Sequence, residues 1–522
     1  MKLLFRAITI MLVLDIIEGA RILACVFSPS FSHQMVFRPL WRTLADRGHH
    51  LTLLTTDPMR DPTQKNIEEI DLSGSHAVME DFGNSVIMSG GRSQGKPLFL
   101  VEFELLKALN EVADWQLAQP DVKKIIKNES EYFDLLIVEV MNPVHMAFAE
   151  RFKIPFIGVT PMDAPYRIHA LMGNYLHPIA YPDHYLPVST PLDFKGRLTS
   201  TLFNWFNWFL QYHWVYRRQT EIVKNHFGQQ AKDLRELEKE MSLLLVNVNP
   251  MFHDVRPAGS NTIYMGASIH IKDTNKPMPK DLQTFLDTSE TEVIYFSLGS
   301  NIKSSLLSDD VKNVIISTLE ELPYNVLWKF EVDTMEKLPD NVKIVKWAPQ
   351  FDLLGHPKVI LFITHCGAQS LEEAIFHQVP MVGIPFMWDQ PSNAKVMERQ
   401  KLGKSVDISN FTKEAFKGAI LEVIHNPVYK TNIIEMSKIS KDVEKTGLDR
   451  AVWWTEYFIR NKGAKHLKSP VSELPTYQYY LLDVIGFLLL VSTVFVCLSM
   501  FTTKLLVSFI MKSAKRPKNK ND

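Results

Sequence analysis

The chain has 522 residues, which leaves room for two or three domains at the usual ~100–150 residues each. Hydrophobic residues make up 46% and charged residues 22%, so a wholly disordered chain is excluded. The 57 Lys and Arg residues nearly balance the 58 Asp and Glu residues, and the net charge of −1 leaves no electrostatic footprint for nucleic acid. Cys25, Cys366 and Cys497 are too few for a disulfide framework.

The first 20 residues have the pattern of a cleavable secretory signal. Lys2 and Arg6 precede an apolar run over residues 7–17, and the small residue Ala20 follows. This run is too short to span a bilayer, and a buried core helix is the alternative interpretation. The pattern predicts a signal peptide over residues 1–20.

Near the other end, residues 479–501 form an apolar stretch of 23 residues with one charge, Asp483. A helix of that length reaches ~34 Å, enough for a hydrocarbon core of ~30 Å. Lysines dominate residues 502–522, which predicts a cytosolic tail and places the rest of the chain in the lumen. We therefore expect a single-pass type I membrane protein with a juxtamembrane linker over residues 466–478.

Two kinds of sequence signal are consistent with this topology: a retrieval signal and glycosylation sequons. The last five residues, with Lys518 and Lys520, resemble the K-x-K-x-x retrieval signal of endoplasmic-reticulum membrane proteins, with a plain stop-transfer flank as the alternative. Acceptor sequons begin at Asn128 and Asn410, in the segment predicted to be lumenal. These signals predict a glycoprotein of the endoplasmic-reticulum membrane.

The body of the chain begins with a βαβ pattern. A β-rich run over residues 21–27 is followed by a helical repeat of apolar residues that ends at Gly48, and a second apolar run covers residues 49–56. Such a unit implies a parallel sheet with helices on its faces. Residues 133–140 form a further candidate buried strand.

A polar, proline-bearing segment over residues 272–291 predicts a connection between two domains. Strands and helices alternate again after it. The predicted strands are residues 293–297, 326–330, 342–346, 359–364 and 381–384, and the predicted helices are residues 309–322, 370–378 and 392–400. We therefore predict an α/β fold of two facing Rossmann-like domains, residues 21–270 and 271–465, with a ligand cleft outside the strand ends.

Several motifs of other enzyme classes are missing. Residues 90–97 fall one residue short of a P-loop, because Pro97 stands where a hydroxyl would hold magnesium, and the segment is interpreted as a flexible loop. The sequence has no G-x-G-x-x-G, no H-E-x-x-H and no pair of aspartates one residue apart. A kinase, a nicotinamide dehydrogenase and a metal-bridged nucleotide-sugar enzyme are therefore disfavoured, and we predict no metal site.

The most specific pattern runs from Trp347-Ala348-Pro349-Gln350 to Asp389-Gln390 and includes Thr364-His365-Cys366-Gly367 and Ser370-Leu371-Glu372-Glu373. Over these 44 residues the spacing resembles the signature of the UDP-glycosyltransferases, the membrane-bound glucuronosyl- and glucosyltransferases. The resemblance extends to Phe296-Ser297-Leu298-Gly299-Ser300 and in effect to the whole chain. The sequence of the N-terminal half is most similar to the insect branch of the family. It implies a GT-B fold and a hexosyltransferase without a cofactor, with the UDP-sugar as donor substrate.

The resemblance also implies roles for the residues of a donor site. The backbone N–H groups of the turn Thr364–Gly367 and the positive end of the following helix would face the diphosphate. The side chains implied are Trp347 and Gln350 for uracil, Glu373 for the ribose, Ser300, His365, Gln369, Ser370 and Arg256 for the phosphates, and Asp389 and Gln390 for the sugar.

Some of these residues have simpler interpretations. Ser370 and Glu373 also form a capping box, Trp347 alone is more often a core residue, and Asp389 before Pro391 could cap the next helix. Cys366 is a departure from the family, which normally has glycine there. Its side chain must either point away from the phosphate or crowd it.

His33 matches the catalytic histidine of the family and is placed in the loop after the first strand, with a loop histidine in a purely structural role as the alternative. Transfer to a hydroxyl needs a base, and a carboxylate behind the imidazole fixes its tautomer. The partner aspartate of the family aligns with Glu139, which is longer by one methylene. Asp134 is a competitor that we expect to be solvated. The pair predicts direct displacement with inversion.

The resemblance implies UDP-glucose or UDP-glucuronate as donor, with glucose favoured, and a small lipophilic acceptor with a hydroxyl, as in detoxification. The Trp- and Phe-rich residues 203–214 are interpreted as the wall of a pocket for such a ligand, with core or membrane-facing packing as the alternative. Membrane lipid and a homo-oligomer are further candidate partners. The alternative function is a non-catalytic membrane protein that binds lipophiles or nucleotides at a degenerate site.

Overall fold

The computed structural model describes residues 19–88, 98–174, 177–183, 185–186, 188, 191–253, 256–266, 269–271, 278–332, 334–335 and 338–514. Residues 1–18 of the predicted signal, residues 90–97, residues 272–277 of the predicted connection and the retrieval signal lie outside these ranges. The chain forms two units, residues 1–468 and 469–522.

The first unit contains a parallel sheet built from the N-terminal half. Its strands are β1 (Arg21–Val26), β2 (His50–Thr55), β3 (Ile67–Asp71), β4 (Leu135–Glu139), β5 (Phe156–Thr160), β6 (Leu244–Val246) and β7 (Thr262–Tyr264). They lie in the order β3-β2-β1-β4-β5-β6-β7, and each neighbouring pair is parallel. The strand order reverses between β1 and β4, so a crevice opens there at the carboxyl ends of the strands.

A second parallel sheet repeats this arrangement in the C-terminal half. Its strands are β8 (Val293–Ser297), β9 (Asn325–Lys329), β10 (Val342–Val345), β11 (Val359–Thr364), β12 (Met381–Gly383) and β13 (Gly403–Ser405), in the order β10-β9-β8-β11-β12-β13. The five strands predicted for this half are present within one residue at each end. The order reverses between β8 and β11, which defines the second crevice edge.

Helices cover both faces of each sheet. In the N-terminal half they are α1 (Phe31–Asp46), α2 (Ser75–Met88), α3 (Leu98–Ala118), α4 (Pro120–Lys127), α5 (Ala147–Phe152), α6 (Tyr166–Leu171), α7 (Phe194–Leu210), α8 (Tyr216–Phe227) and α9 (Leu234–Glu238). In the C-terminal half they are α10 (Lys280–Thr288), α11 (Asp309–Glu320), α12 (Gln350–Leu354), α13 (Ala368–His377), α14 (Gln390–Arg399), α15 (Lys413–His425), α16 (Pro427–Lys441) and α17 (Gly447–Arg460). Gly48 follows the end of α1 with φ +94°, as the expected C-terminal glycine does.

The central strands are buried on both faces, which explains their continuous apolar runs. Every residue of β4, β5 and β8 is buried. Two apolar clusters sandwich each sheet, because helices pack on both sides of a parallel sheet. This rigid support fixes the loops at the carboxyl ends of the strands.

Helix α17 returns to the first sheet, although the sequence analysis placed it with the C-terminal half. Val452 and Phe458 pack in the same apolar cluster as β1 and α1. The guanidinium of Arg47 donates to both carboxylate oxygens of Glu456, at 2.5 and 2.9 Å. The chain after α16 therefore fastens the C-terminal half to the N-terminal sheet.

The second unit contains the short helix α18 (Thr476–Tyr479) and the long helix α19 (Leu482–Ala514). Among the described residues, α19 is the one helix long and apolar enough to cross a membrane, with 33 residues and a mean hydropathy of 2.6 in its most apolar part. It begins after the predicted start at residue 479 and continues beyond residue 501. The basic end near Lys512 stays helical, because lysine is a good helix former.

Candidate functional site

His33 and Glu139 come together at the reversal point of the first sheet. Glu139 is the last residue of β4, which pairs with β1. Because α1 begins at Phe31, His33 lies in the first turn of that helix and not in the loop that the sequence analysis expected. A helical backbone holds the imidazole more firmly than a loop would.

The imidazole and the carboxylate are in direct contact. Nδ1 of His33 lies 2.6 Å from Oε1 of Glu139, whose side chain is fully buried. The backbone N–H of Ser28 donates to the other carboxylate oxygen at 3.0 Å. A carboxylate only accepts hydrogen bonds, so Nδ1 carries the proton and Nε2 keeps a lone pair. The extra methylene of glutamate therefore does not break the pair.

Asp134 does not compete for this role. It is exposed at the start of the strand, and its Oδ2 accepts a hydrogen bond from the backbone N–H of Arg21 at 2.8 Å. The expectation that Asp134 is solvated is confirmed. Glu139 is thus the carboxylate that orients His33.

A second histidine, His145, lies behind the pair and was not identified from the sequence. Its ring stacks on Phe27 with centroids 5.7 Å apart, and neither ring nitrogen has a hydrogen-bond partner among the residues that the structure describes. Burial lowers the pKa of His145 to about 4, although the nearby charge of Glu139 acts in the opposite direction. His145 is therefore a neutral core imidazole. His145 lies in the short 3-10 helix Pro143–Met146, and no motif marked it in the sequence.

The turn between β11 and α13 forms the corresponding edge of the second sheet. Cys366 has φ +66°, the left-handed conformation that favours glycine. Its thiol points into the core: a Cβ added to Gly383 of β12 would lie 2.3 Å from its Sγ. The side chain therefore points away from the crevice, and only the backbone of the turn faces the place of the expected phosphates.

His365 fits between two glycines. A Cβ at Gly299 would lie 2.4 Å from its ring, and a Cβ at Gly367 would lie 2.5 Å from its Nε2. Burial, and then the charge of Lys329, lower the pKa of His365 to about 4. The imidazole of His365 is therefore neutral. His365 follows β11, and the predicted phosphate contact Ser300 follows β8, so both residues lie at the point where the strand order of the second sheet reverses.

Lys329 is a cation of this site that the sequence analysis missed. Its Nζ donates to the carbonyl of Gly299 at 2.9 Å and pairs with Glu331 at 3.1 Å. The same ammonium lies 5.8 Å from the ring centroid of Trp347. Lysine is rare at the end of a buried strand, and this feature of the sequence could have marked Lys329 as a candidate site residue.

Gln350, Ser370 and Glu373 form one hydrogen-bonded group. The Gln350 amide donates to the Ser370 hydroxyl at 3.0 Å and to the Glu373 carboxylate at 2.7 Å. Burial raises the pKa of Glu373 to about 7 against the effect of this amide, and Nε2 of His270 lies 3.6 Å away. The capping-box interpretation is wrong, because Gly367 is the N-cap of α13 and Ser370 already lies within the first turn of the helix.

Trp347 is a surface residue of the crevice and not a core residue. Its side chain is 55% exposed. The edge of the indole meets Phe31 of α1, with ring centroids 5.0 Å apart. An exposed, edge-supported indole offers a flat face to a base.

Asp389 and Arg256 border one pocket lined by residues of both halves, together with Asp163 and Asn393, whereas Gln390 is buried and does not line it. Asp389 accepts from the Asn393 amide at 2.7 Å and makes no side-chain cap of α14, so the capping alternative fails. The Gln390 carbonyl accepts from the backbone of Phe386 and Met387 at 2.9 and 3.2 Å. Nε of Arg256 lies 3.0 Å from Asp163.

Direct hydrogen bonds join the two halves around these groups. The Asn301 amide donates to the hydroxyl of Ser30, three residues before His33, at 3.0 Å. The Gln369 amide, expected at a phosphate, donates to the carbonyl of Pro161 at 2.9 Å. The candidate base and the donor turn therefore border one shared crevice.

The comparisons with known proteins agree with this geometry. The family described as "UDP-glucoronosyl and UDP-glucosyl transferase" matches the chain from residue 21 to residue 517. The chain belongs to this family. UDP-glucosyltransferase 2 of Dactylopius coccus is 31% identical over 97% of this chain and 96% of its own. The human UDP-glucuronosyltransferase 2B10 is 31% identical over 95% of each chain.

Solved structures of glycosyltransferases share the fold of this UDP-glycosyltransferase. The calicheamicin glycosyltransferase CalG4 aligns with 85% of this chain and 99% of its own, with a TM-score of 0.52 and 16% identity. The kitacinnamycin glycosyltransferase aligns over the same shares with a TM-score of 0.51 and 17% identity. The predicted GT-B fold of two Rossmann-like halves is confirmed.

Proposed function

We propose that this family member transfers a hexose from a UDP-sugar to the hydroxyl of a small lipophilic acceptor, with inversion and with His33 as general base. The observation that carries the proposal is the contact of 2.6 Å between Nδ1 of His33 and the buried carboxylate of Glu139. This contact directs the proton to Nδ1 and leaves Nε2 as the basic atom.

The chemical step is a single displacement. Nε2 of His33 takes the proton of the acceptor hydroxyl as its oxygen forms a bond to the anomeric carbon, and the bond from that carbon to the UDP oxygen breaks. The imidazolium that forms is stabilised by Glu139. Attack from the face opposite the leaving group inverts the anomeric configuration.

The departing UDP carries the negative charge that develops in this step. The backbone N–H groups of the turn 364–367 and the positive end of α13 would face it, whereas the ammonium of Lys329 is already paired with Glu331. Trp347 would stack on uracil, and Glu373 would accept hydrogen bonds from the ribose. Neutral His365 adds a hydrogen-bonding group without a charge.

Glucose is favoured over glucuronate as the transferred sugar. Among the described residues that line the pocket beside Asp389, Arg256 is the one Lys or Arg, and it is already paired with Asp163. A glucuronate carboxylate in this pocket would face the carboxylates of Asp163 and Asp389, and the charge of Arg256 is already neutralised by Asp163. The hydroxyls of glucose instead suit the acceptor oxygens of Asp389, while the sugar contact of Gln390 is supported by the family resemblance alone.

An apolar wall supports a lipophilic acceptor. Phe27, Leu105 and Leu109 belong to a buried apolar cluster against which Trp388 of the C-terminal half packs, and Phe27 immediately precedes Ser28, whose backbone N–H donates to Glu139. This wall replaces residues 203–214 as the predicted lining, because α7 turns most of its aromatic side chains outward. The cluster favours acceptors with a flat or aliphatic body.

Polar side chains that the sequence analysis did not identify lie next to this apolar cluster. Glu102 lies one turn before Leu105 on α3, and Asn207 of α7 hydrogen-bonds to it. Within the part of the chain that the structure describes, one oxygen of Glu102 and both polar side-chain atoms of Asn204 are buried without a hydrogen-bond partner. Burial raises the pKa of Glu102 to about 8. A second polar group on the acceptor could satisfy these atoms.

The rival function, a binding protein with a degenerate site, rested on Cys366 and Glu139. The Cys366 thiol lies in the core and Glu139 contacts His33, so neither residue argues against catalysis. One assay separates the two functions. Microsomes with the full chain receive UDP-glucose or UDP-glucuronate and a panel of phenols, and conjugates are detected by mass.

We expect glucosides with the native chain, and His33→Ala should lower the rate by about 10²–10⁴-fold while UDP binding stays intact. His50→Ala, at an exposed histidine of β2, is the matched control. Nucleotide binding without any conjugate would favour the rival function, and full activity of His33→Ala would refute the base.

We further propose that the body is lumenal in the endoplasmic reticulum and carries glycans. The helix α19 is compatible with a membrane anchor, and the sequon asparagines Asn128 and Asn410 are both exposed. An endoglycosidase should shift the band on a gel, and Asn128→Gln with Asn410→Gln should abolish the shift.

A further inference from the structure

The carboxyl group of Glu102, on α3, is buried against α7. The side chain of Asn207 on α7 hydrogen-bonds to it. Within the described part of the chain, its Oε2 atom is buried and has no hydrogen-bond partner. Burial raises the pKa of Glu102 to about 8, and the charge of Asp183 acts in the same direction. A buried carboxyl group beside a second acidic residue is costly to ionise, so it favours a partner of opposite charge.

Asn204 is a second buried polar side chain at this place. It lies one turn before Asn207 on the same side of α7, and α7 packs on α3. The residue is 5% exposed, and neither its amide nitrogen nor its amide oxygen has a hydrogen-bond partner among the described residues. Native proteins rarely leave buried amide groups unpaired. Side chains of two packed helices thus lack partners within one helical turn of the contact between Glu102 and Asn207.

Glu102 lies next to the proposed acceptor wall. Leu105, one turn later on α3, belongs to the buried apolar cluster that contains Phe27, and Trp388 packs on the same cluster. The residue after Phe27 donates its backbone N–H to the carboxylate of Glu139. An acceptor that lies along this cluster would therefore have its reacting hydroxyl beside the proposed base and its other end beside Glu102.

Tyr185 links these two ends electrostatically. Its pKa is raised by burial first and then by the charges of Asp183, Glu102, Asp389 and Glu139. Charges act on one another strongly only over short distances in a protein interior, so one phenol lies within reach of all four groups. All four are acidic. A positive charge on a bound molecule is therefore favoured along this side of the crevice.

We propose that Glu102, Asn204 and Asn207 form an amine subsite, which binds the protonated amine of an acceptor that carries this group at the end opposite its reacting hydroxyl. The inference rests on the proposed transfer reaction and names the acceptor class: phenols or alcohols with an apolar body and a terminal ammonium. An ammonium donates three hydrogen bonds and accepts none. It therefore suits the Glu102 Oε2 and the amide oxygens of both asparagines, which have no described partner.

The experiment compares three acceptors of equal size. They are para-(aminoethyl)phenol, para-(hydroxyethyl)phenol and para-propylphenol, which differ in the terminal group alone. The full chain in microsomes receives UDP-glucose, and kcat/KM is measured for each phenol glucoside. Glu102→Gln keeps the size of the side chain and removes its charge, and Asn204→Leu replaces it if that variant does not fold. Glu104→Gln, at an exposed residue of α3, is the matched control.

We expect the native chain to prefer the amine over the propyl compound by about 10- to 100-fold in kcat/KM, the size of a charge-assisted hydrogen bond. Glu102→Gln should remove most of this preference, and Glu104→Gln should retain it. Equal kcat/KM for the amine and the propyl compound would overturn the inference. An equal preference for the hydroxyethyl compound, or a preference that survives in Glu102→Gln, would also overturn it.

The same assay separates this inference from the proposed function. Glucosides of all three phenols without a preference would overturn the amine subsite alone. No glucoside from any of them would overturn the transfer reaction and the subsite with it.

Discussion

Phe31 and Trp347 meet edge to face across the crevice, with an interplanar angle of 84°. Phe31 opens α1 two residues before His33, whereas Trp347 follows β10 in the other half. The contact places the proposed uracil platform directly against the helix that carries the proposed base. One aromatic pair thus joins the two halves beside the proposed uracil platform.

Trp347→Ala should weaken donor binding. Stacking of a base on an aromatic ring is worth about 1–3 kcal/mol, so we expect the donor KM to rise roughly 5- to 150-fold. Trp347→Phe should retain part of the affinity, and Trp453→Ala, at an exposed tryptophan of α17, serves as the control. Donor titration with UDP-glucose measures the effect. An unchanged KM would remove Trp347 from the site.

Glu139→Gln should lower kcat by about 10²–10⁴-fold with UDP affinity unchanged. The amide has the same size, but it cannot stabilise an imidazolium, and its NH2 group would face the N–H of Ser28 or the imidazole. Glu139→Asp should give an intermediate rate, because the carboxylate retreats by one methylene. Steady-state kinetics and a UDP binding assay separate the two quantities. Native kcat in Glu139→Gln would show that the charge of the carboxylate is dispensable.

Two neighbouring residues of the donor turn should respond in opposite ways. Cys366→Gly should leave UDP affinity unchanged or improved, since the thiol lies in the core and glycine relieves the φ of +66°. Gly367→Ala should weaken UDP binding, because the new Cβ would lie 2.5 Å from Nε2 of His365. Isothermal titration with UDP tests both. A large loss in Cys366→Gly would mean that the turn has been misinterpreted.

His145→Phe should make the protein less sensitive to acid. Burial lowers the pKa of His145 to about 4, so between that pH and the ordinary value of 6.5 the unfolded chain holds a proton that the folded chain does not. This histidine therefore makes stability rise with pH across that window and fall on acidification, by up to about 2 kcal/mol between pH 6.5 and pH 5.

The variant removes both the titration and the two unpartnered ring nitrogens. Its melting temperature should fall less than that of the native chain between pH 7 and pH 5. His50→Phe, at an exposed position of β2, should keep the native pH dependence. Parallel acid curves for His145→Phe and the native chain would contradict the assignment.

The strands of the second sheet show how much of the secondary structure the local sequence pattern predicts. The strands at residues 293–297 and 359–364 were predicted with their observed ends, because buried parallel strands are continuous apolar runs between polar residues. The short strands β6 and β13 were not predicted, because three residues show no periodicity and neither strand lies within a recognised motif, as β12 does. The packing of α17 on the first sheet was also not predicted, because a local sequence pattern does not show which distant surface a helix packs against.

The order of residues along the chain determined the chemistry that is available: an imidazole after the first strand, a carboxylate at the end of another strand, and a long donor signature in the second half. Only the tertiary structure brought His33 to 2.6 Å from Glu139, 106 residues away, and turned the Cys366 thiol into the core. It also decided that residues 194–214 face outward. Distances and side-chain directions depend on how sheets and helices pack, and packing energy is shared among residues that are remote in sequence.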